Sequence, residues 1–289
     1  MTDRLNDFPR LLDWESRGNY LSVDDEHDVF YIDEGEGDVI LFLQNFPFSS
    51  WLWQPLWDTL SDGYRLIAFD PLGIGLSDKP ISLNYRIADS ARQLRAVLEH
   101  LGVDSLSVLT HGGGMNLLQE MLAQMTKNGG DGLRISKVTA FNCAMTHDSP
   151  IHPEHRRILI KRSKALVEYD RQRFCDLIHS ISGPQKISSK FLDECWMLLS
   201  HNNGIDVADR VMSYVADRLE FGESWEKALK QRNIPIHYIC GLADPIWGQQ
   251  SISAIRRSFG EHNLHITELA NVGNMPMVEK PAAVLSLLV

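Results

Sequence analysis

The chain has 289 residues, enough for one sizeable core with an inserted subdomain, and length alone does not demand a second domain. Apolar residues make up 44% and charged residues 23%, ordinary for a soluble globular protein, and the formal net charge of −10 leaves no average basic surface to neutralise phosphates. Nucleic acid and membrane are therefore excluded as expected partners.

The N-terminal stretch from Met1 to Ser16 carries charges throughout and has no apolar core segment, so no secretory signal is expected. No apolar run approaches the roughly 20 residues that span a bilayer. Period-two apolar runs follow at Tyr20–Val23, Val29–Ile32 and Val39–Leu43, and Glu34-Gly35-Glu36-Gly37 reads as a turn joining the last two as antiparallel strands. The pattern then alternates. Arg65–Phe69 predicts a strand, and Ile87–Leu101 an amphipathic helix with Ala91, Leu94, Val97, Leu98 and Leu101 on one face. Leu106–Leu109 is the next strand, a helix starts near Gly113 and runs through Met121, and Val138–Phe141 is strand-like again.

From about His147 to Gln231 the chain reads as helical and charge-rich, most clearly over Glu154–Tyr169 and Asp206–Phe221. Strands return at Ile236–Cys240 and Leu264–Leu269 with a helix around Ile252–Phe259 between them, and a last helix follows Pro281. Strand–helix alternation predicts a mostly parallel eight-stranded sheet with helices on both faces. Residues 1–146 and 232–289 are expected to form this α/β core, and residues 147–231 a helical cap inserted after one strand. The four cysteines (Cys143, Cys175, Cys195, Cys240) are widely spaced with no C-x-x-C pair, which points to buried thiols in a reducing compartment rather than to a metal site or disulfides. A cytoplasmic protein is expected.

Five stretches carry a family resemblance. Leu43-Gln44-Asn45-Phe46-Pro47 before Ser49-Ser50-Trp51 resembles the oxyanion loop of α/β-hydrolases, and Phe69–Pro80 the loop after the following strand. Val108-Leu109-Thr110-His111-Gly112-Gly113-Gly114 stands where the nucleophile elbow belongs. Gly241-Leu242-Ala243-Asp244-Pro245 resembles the acid loop, and Gly273-Asn274-Met275-Pro276 the histidine loop. The wording is most similar to haloalkane dehalogenases and epoxide hydrolases. The resemblance implies the α/β-hydrolase fold over the whole chain outside the cap.

It also locates two losses. Aligning His111 with the histidine common before the nucleophile puts Gly112 in the nucleophile slot and Gly114 in the small-residue slot. Glycine has no atom with which to attack, and it tolerates the positive φ of the elbow without strain. Asn274 stands at the histidine position, and an amide cannot act as general base. Asp244 alone remains at the acid position; it is read either as polarising a ligand or as a loop carboxylate bonded to Asn274 and to backbone amides. Gln44, Asn45, Phe46 and Gly113 form the oxyanion-hole region, whose backbone donors at Phe46 and Gly113 do not depend on side-chain identity.

Other candidates have simpler readings. His111 is expected to pack beneath the elbow, Trp51 and Trp53 to pack, and Gly73, Gly75 and Asp78 to serve turn geometry. His147, His152, His155, His179 and His201 are the cap histidines able to replace the missing base. The Gly112–Gly114 run lacks a phosphate-cradle lysine or dinucleotide spacing, so no cofactor is indicated. Three functions remain open: a cofactor-free non-hydrolytic enzyme (lyase, isomerase or cyclase type) acting on a small organic molecule in a capped pocket, a non-catalytic pseudo-hydrolase that binds a ligand or serves as an adaptor, and a hydrolase with relocated residues. A pocket of roughly 300–1,000 Å³ converging on Asp244 favours the enzyme, and one filled by side chains favours the adaptor.

Overall fold

The computed structural model describes residues 5–44, 46–127, 129, 132–151, 170–185, 187–212, 214–260 and 262–288. Eight strands form one sheet: β1 (Gly18–Ser22), β2 (Asp28–Glu34), β3 (Val39–Leu43), β4 (Arg65–Asp70), β5 (Ser105–His111), β6 (Arg134–Phe141), β7 (Ile236–Gly241) and β8 (Leu264–Leu269). Their order across the sheet is β1-β2-β4-β3-β5-β6-β7-β8. β1 and β2 are antiparallel, β2 runs antiparallel to β4, and every pairing from β4 to β8 is parallel.

Burial explains the parallel part. Val-Ile-Leu-Phe-Leu of β3 is an unbroken apolar run, buried from Ile40 onward, as a strand covered on both faces requires. β7 is buried along its whole length, whereas β8, at the edge, alternates between intermediate and exposed positions. The Glu34–Gly37 turn does not make the expected hairpin. β2 and β3 are not partners, because β4 lies between them and bonds to both. A turn signal fixes a reversal of the chain, but the crossover through α2 (Gln54–Ser61) returns the next strand into the gap.

α1 (Pro9–Ser16) precedes the sheet, and α3 (Ile87–His100) and α4 (Gly114–Lys127) flank β5 in sequence. Between β6 and β7 the chain makes a helical excursion containing α5 (Arg171–Ile181), α6 (Ser189–Ser200), α7 (Gly204–Val211) and α8 (Tyr214–Gln231). α9 (Gln249–Phe259), α10 (Pro276–Glu279) and α11 (Pro281–Leu288) complete the chain. The helix expected over Glu154–Tyr169 lies outside the described residues. The single helix expected over Asp206–Phe221 is two helices. α7 ends at Val211 and α8 starts at Tyr214; both residues line the small cavity, and α8 packs along α4. The tryptophans pack as expected: Trp14 meets Trp51 and Trp57 edge-on at 5.4 and 4.9 Å, and Trp53 is fully buried against Phe42. Among the described residues no helix is long and apolar enough to cross a membrane.

Candidate functional site

The turn from β5 into α4 supplies the first part of the site. His111 ends β5, Gly112 follows with φ +55°, and α4 begins at Gly114. This left-handed conformation is the one glycine adopts at no steric cost. Gly114 is needed for a different reason, because a Cβ there would run into the Leu43 carbonyl of β3.

The loops after β6, β7 and β8 bring in the rest. Asp244 is buried, and its carboxylate accepts from Asn274 Nδ2 and Asn142 Nδ2 (both 2.8 Å) and from the Ile246 amide at 2.8 Å. Burial nevertheless raises its pKa above the usual carboxylate value, the hydrogen bonds opposing that shift. Asn142, with φ +27°, also bridges to β7: its amide donates to the Gly241 carbonyl at 3.0 Å, and its oxygen accepts from the Gly241 N–H at 2.7 Å.

His111 enters this network from the other side. It is buried, as expected, but it reaches Asn274: Nε2 lies 3.0 Å from both the backbone oxygen and the side-chain oxygen of Asn274. Both contacts are acceptors, so Nε2 carries a proton. Burial drives its pKa down to about 4, and Nδ1 has no partner among the described residues. The order His111, Asn274, Asp244 is thus a closed chain of donors and acceptors. Its central amide cannot pass a proton.

Gln44, at the end of β3, is buried and lines the cavity beside the elbow, and its Oε1 has no hydrogen-bond partner among the described residues. Its Nε2 donates to the Phe69 carbonyl at 2.7 Å and to Asp70 Oδ1 at 3.2 Å. Asp70 also accepts from the Ser50 and Leu76 amides (2.6 and 3.1 Å), and full burial pushes its pKa up to about 6. Asn45 lies outside the described residues. Gly113 and Phe46 line a small internal cavity of about 50 Å³, together with Leu72, Tyr85, Leu117 and Val211. This cavity does not converge on Asp244, the arrangement that would favour an enzyme, since neither Asp244 nor Asn274 belongs to its wall. Their hydrogen bonds face each other instead.

The loop glycines behave as expected. Gly73 and Gly75 have φ of +89° and +57°, a Cβ on Gly75 would strike the Asp70 carboxylate, and Asp78 accepts the Asp28 amide at 2.8 Å. His147 bonds to Glu226, His179 is exposed, and among the described residues no histidine lines the cavity; His152 and His155 lie outside them. All four cysteines are buried and unpaired.

The family model described as alpha/beta hydrolase fold matches residues 38–118, which span β3 to the start of α4. Among solved structures, a haloalkane dehalogenase loop variant from Bradyrhizobium elkanii superposes with a TM-score of 0.74 at 16% identity, covering 94% of each chain. The chain has the α/β-hydrolase fold. Its similarity to known sequences extends over nearly the full length. It is 28% identical to the mesoderm-specific transcript homolog protein of Bos taurus (96% of this chain, 86% of that one), and 26% identical to the putative hydrolase LipZ of Mycobacterium tuberculosis (95% of each). Within the α/β-hydrolase fold Gly112 occupies the elbow turn, Asn142 is the site residue that sequence reading missed, and His111 is the one whose partner it did not foresee. Asn142 carried no signal beyond its place at a strand end. His111 was visible, but its reach to Asn274 was not.

Proposed function

We propose that this α/β-hydrolase-fold protein is non-hydrolytic and non-catalytic, a pseudo-hydrolase that binds a small, uncharged organic molecule. The observation that carries this reading is the pairing of Gly112 at the elbow with Asn274 held between His111 and Asp244. The first offers no nucleophile and the second no base. The cavity supports it further. Neither Asp244 nor Asn274 lines it, and no charged side chain does. The unpaired buried thiols suit a reducing, cytoplasmic setting.

One observation favours a second reading, a cofactor-free lyase, isomerase or cyclase. The Gly113 N–H donates no hydrogen bond among the described residues and sits at the cavity, so it offers a fixed dipole to a developing negative charge. The test is turnover of activated esters, epoxides and haloalkanes by the native protein, with Asp244→Asn as control. No turnover above background is expected, together with a raised melting temperature in the presence of small neutral ligands. Turnover that disappears in Asp244→Asn would overturn the proposal in favour of a mechanism built around that carboxylate.

A further inference from the structure

A second cavity of about 360 Å³ opens at the surface between the loop after β4 and α3, and it shares three wall residues with the inner one: Leu72, Tyr85 and Ser90. The two spaces are therefore separated by one layer of side chains. The middle of that layer is conformationally unusual. Tyr85 is a non-glycine residue at φ +52°, its ring lies where any side chain on Gly73 would have to go, and its hydroxyl donates to the Pro80 carbonyl at 2.8 Å. A strained backbone in the partition between two cavities is stored energy that relaxation of the loop releases.

The linings differ in a complementary way. The inner cavity has no charged wall, and the Gly113 N–H beside it is an unpaired donor and the Gln44 Oε1 an unpaired acceptor, so it accepts an uncharged hydrogen-bonding group and penalises an ion. In the outer cleft the polar side chains other than the shared Ser90 hydroxyl are already engaged. Arg92 pairs with Asp89, Gln93 accepts the Leu72 amide at 3.2 Å, and Asp24 bonds to His27 at 3.0 Å. What remains to meet a ligand is the apolar surface of Val23, Leu83 and Ala96.

We propose that the two cavities form one elongated site, entered from the α3 side past Tyr85, for a straight-chain aliphatic molecule with one uncharged oxygen. The oxygen accepts from Gly113 N–H, and the tail crosses the Leu72–Tyr85–Ser90 partition into the outer cleft. This rests on the ligand-binding reading above. The inner space alone holds roughly three or four water-sized groups at about 10–15 Å³ each, so any longer chain must occupy the cleft.

Titration of the native protein and of Ala96→Trp with 1-propanol, 1-hexanol and 1-octanol, read by calorimetry, tests it. Ala96 lines only the cleft, so the variant fills that space and leaves the inner wall intact. Native affinity is expected to rise roughly fourfold per added methylene through octanol, and in Ala96→Trp the rise stops at propanol while propanol itself binds as before. Leu83→Trp, at another position that lines the cleft and not the inner cavity, gives the same result if Ala96→Trp does not fold. Native affinity that is flat beyond propanol, or a variant that follows the native series, overturns the joined site and leaves the inner-cavity reading standing. Failure of every alcohol to bind overturns both.

Discussion

Asn274 decides the chemistry of the site because its two ends are committed. Its oxygen accepts from a neutral His111, and its amide donates to Asp244. Removing the acceptor exposes the cost of that arrangement. Asp244→Ala leaves the buried Asn274 Nδ2 and Ile246 N–H donors unpaired, while Asn142 Nδ2 keeps the Gly241 carbonyl; at about 1–3 kcal/mol for each lost partner, a loss of at least about 2 kcal/mol in denaturant unfolding is expected, and a loss under about 1 kcal/mol would mean the network is slack. His111 provides the acid side. Its pKa falls from 6.5 unfolded to about 4 folded, so the folded state binds fewer protons in that interval. Stability is complete above pH 6.5 and declines as pH falls toward 4. His237, also brought to about 4 by burial and by the neighbouring charges of His265 and Lys137, acts in the same window. The decline should be shallower in His111→Leu, and an NMR titration of the His111 ring should show no protonation at pH 6.

At the level of elements, most of the fold was legible because burial and periodicity are local properties. Val39–Leu43 and Leu264–Leu269 are strands with the bounds their apolar patterns suggest, and the glycine run after β5 marks the elbow. What escaped was non-local. Nothing in Glu34–Gly37 says that a later strand will fill the space beside β2, and nothing in Asp206–Phe221 says that one helix ends at Val211 and another starts at Tyr214. The site divides in the same way. Gly112, Asp244 and Asn274 stand in motifs, whereas Asn142 joins them only because β6 and β7 are adjacent. Close packing of the elbow against β3 gives a direct check. Gly114→Ala should destabilise by about 1–3 kcal/mol, since the added methyl must displace the Leu43 backbone. Gly112→Ser should cost about 1–2 kcal/mol through its left-handed φ and yield no esterase activity while Asn274 is in place. Unchanged stability in either would show that the turn can relax.

Over the whole molecule, the excursion between β6 and β7 is tied down at its base. His147, just inside its start, donates both its backbone amide (2.9 Å) and Nδ1 (2.8 Å) to Glu226 near its end. Lys230 and Ser258 of α9 donate to the other carboxylate oxygen, Lys230 at 2.6 Å. Burial raises the Glu226 pKa, but these bonds outweigh it and hold the group at about 2. A depressed carboxylate stabilises the fold above its unfolded value near 4.5, and that contribution is lost as pH falls toward 2. Glu226→Gln should therefore lower the melting temperature at pH 7 and flatten its fall between pH 4.5 and 2; a parallel fall in both proteins would place the acid sensitivity elsewhere. Further ties run from Arg10 to Glu194 at 2.9 Å and from Arg86 to Asp217 at 2.6 Å. With both necks converging on one carboxylate and additional anchors along the way, the covalent continuity of the excursion is redundant. A protease that cuts it once should leave two fragments that co-elute, melt together and part only in denaturant.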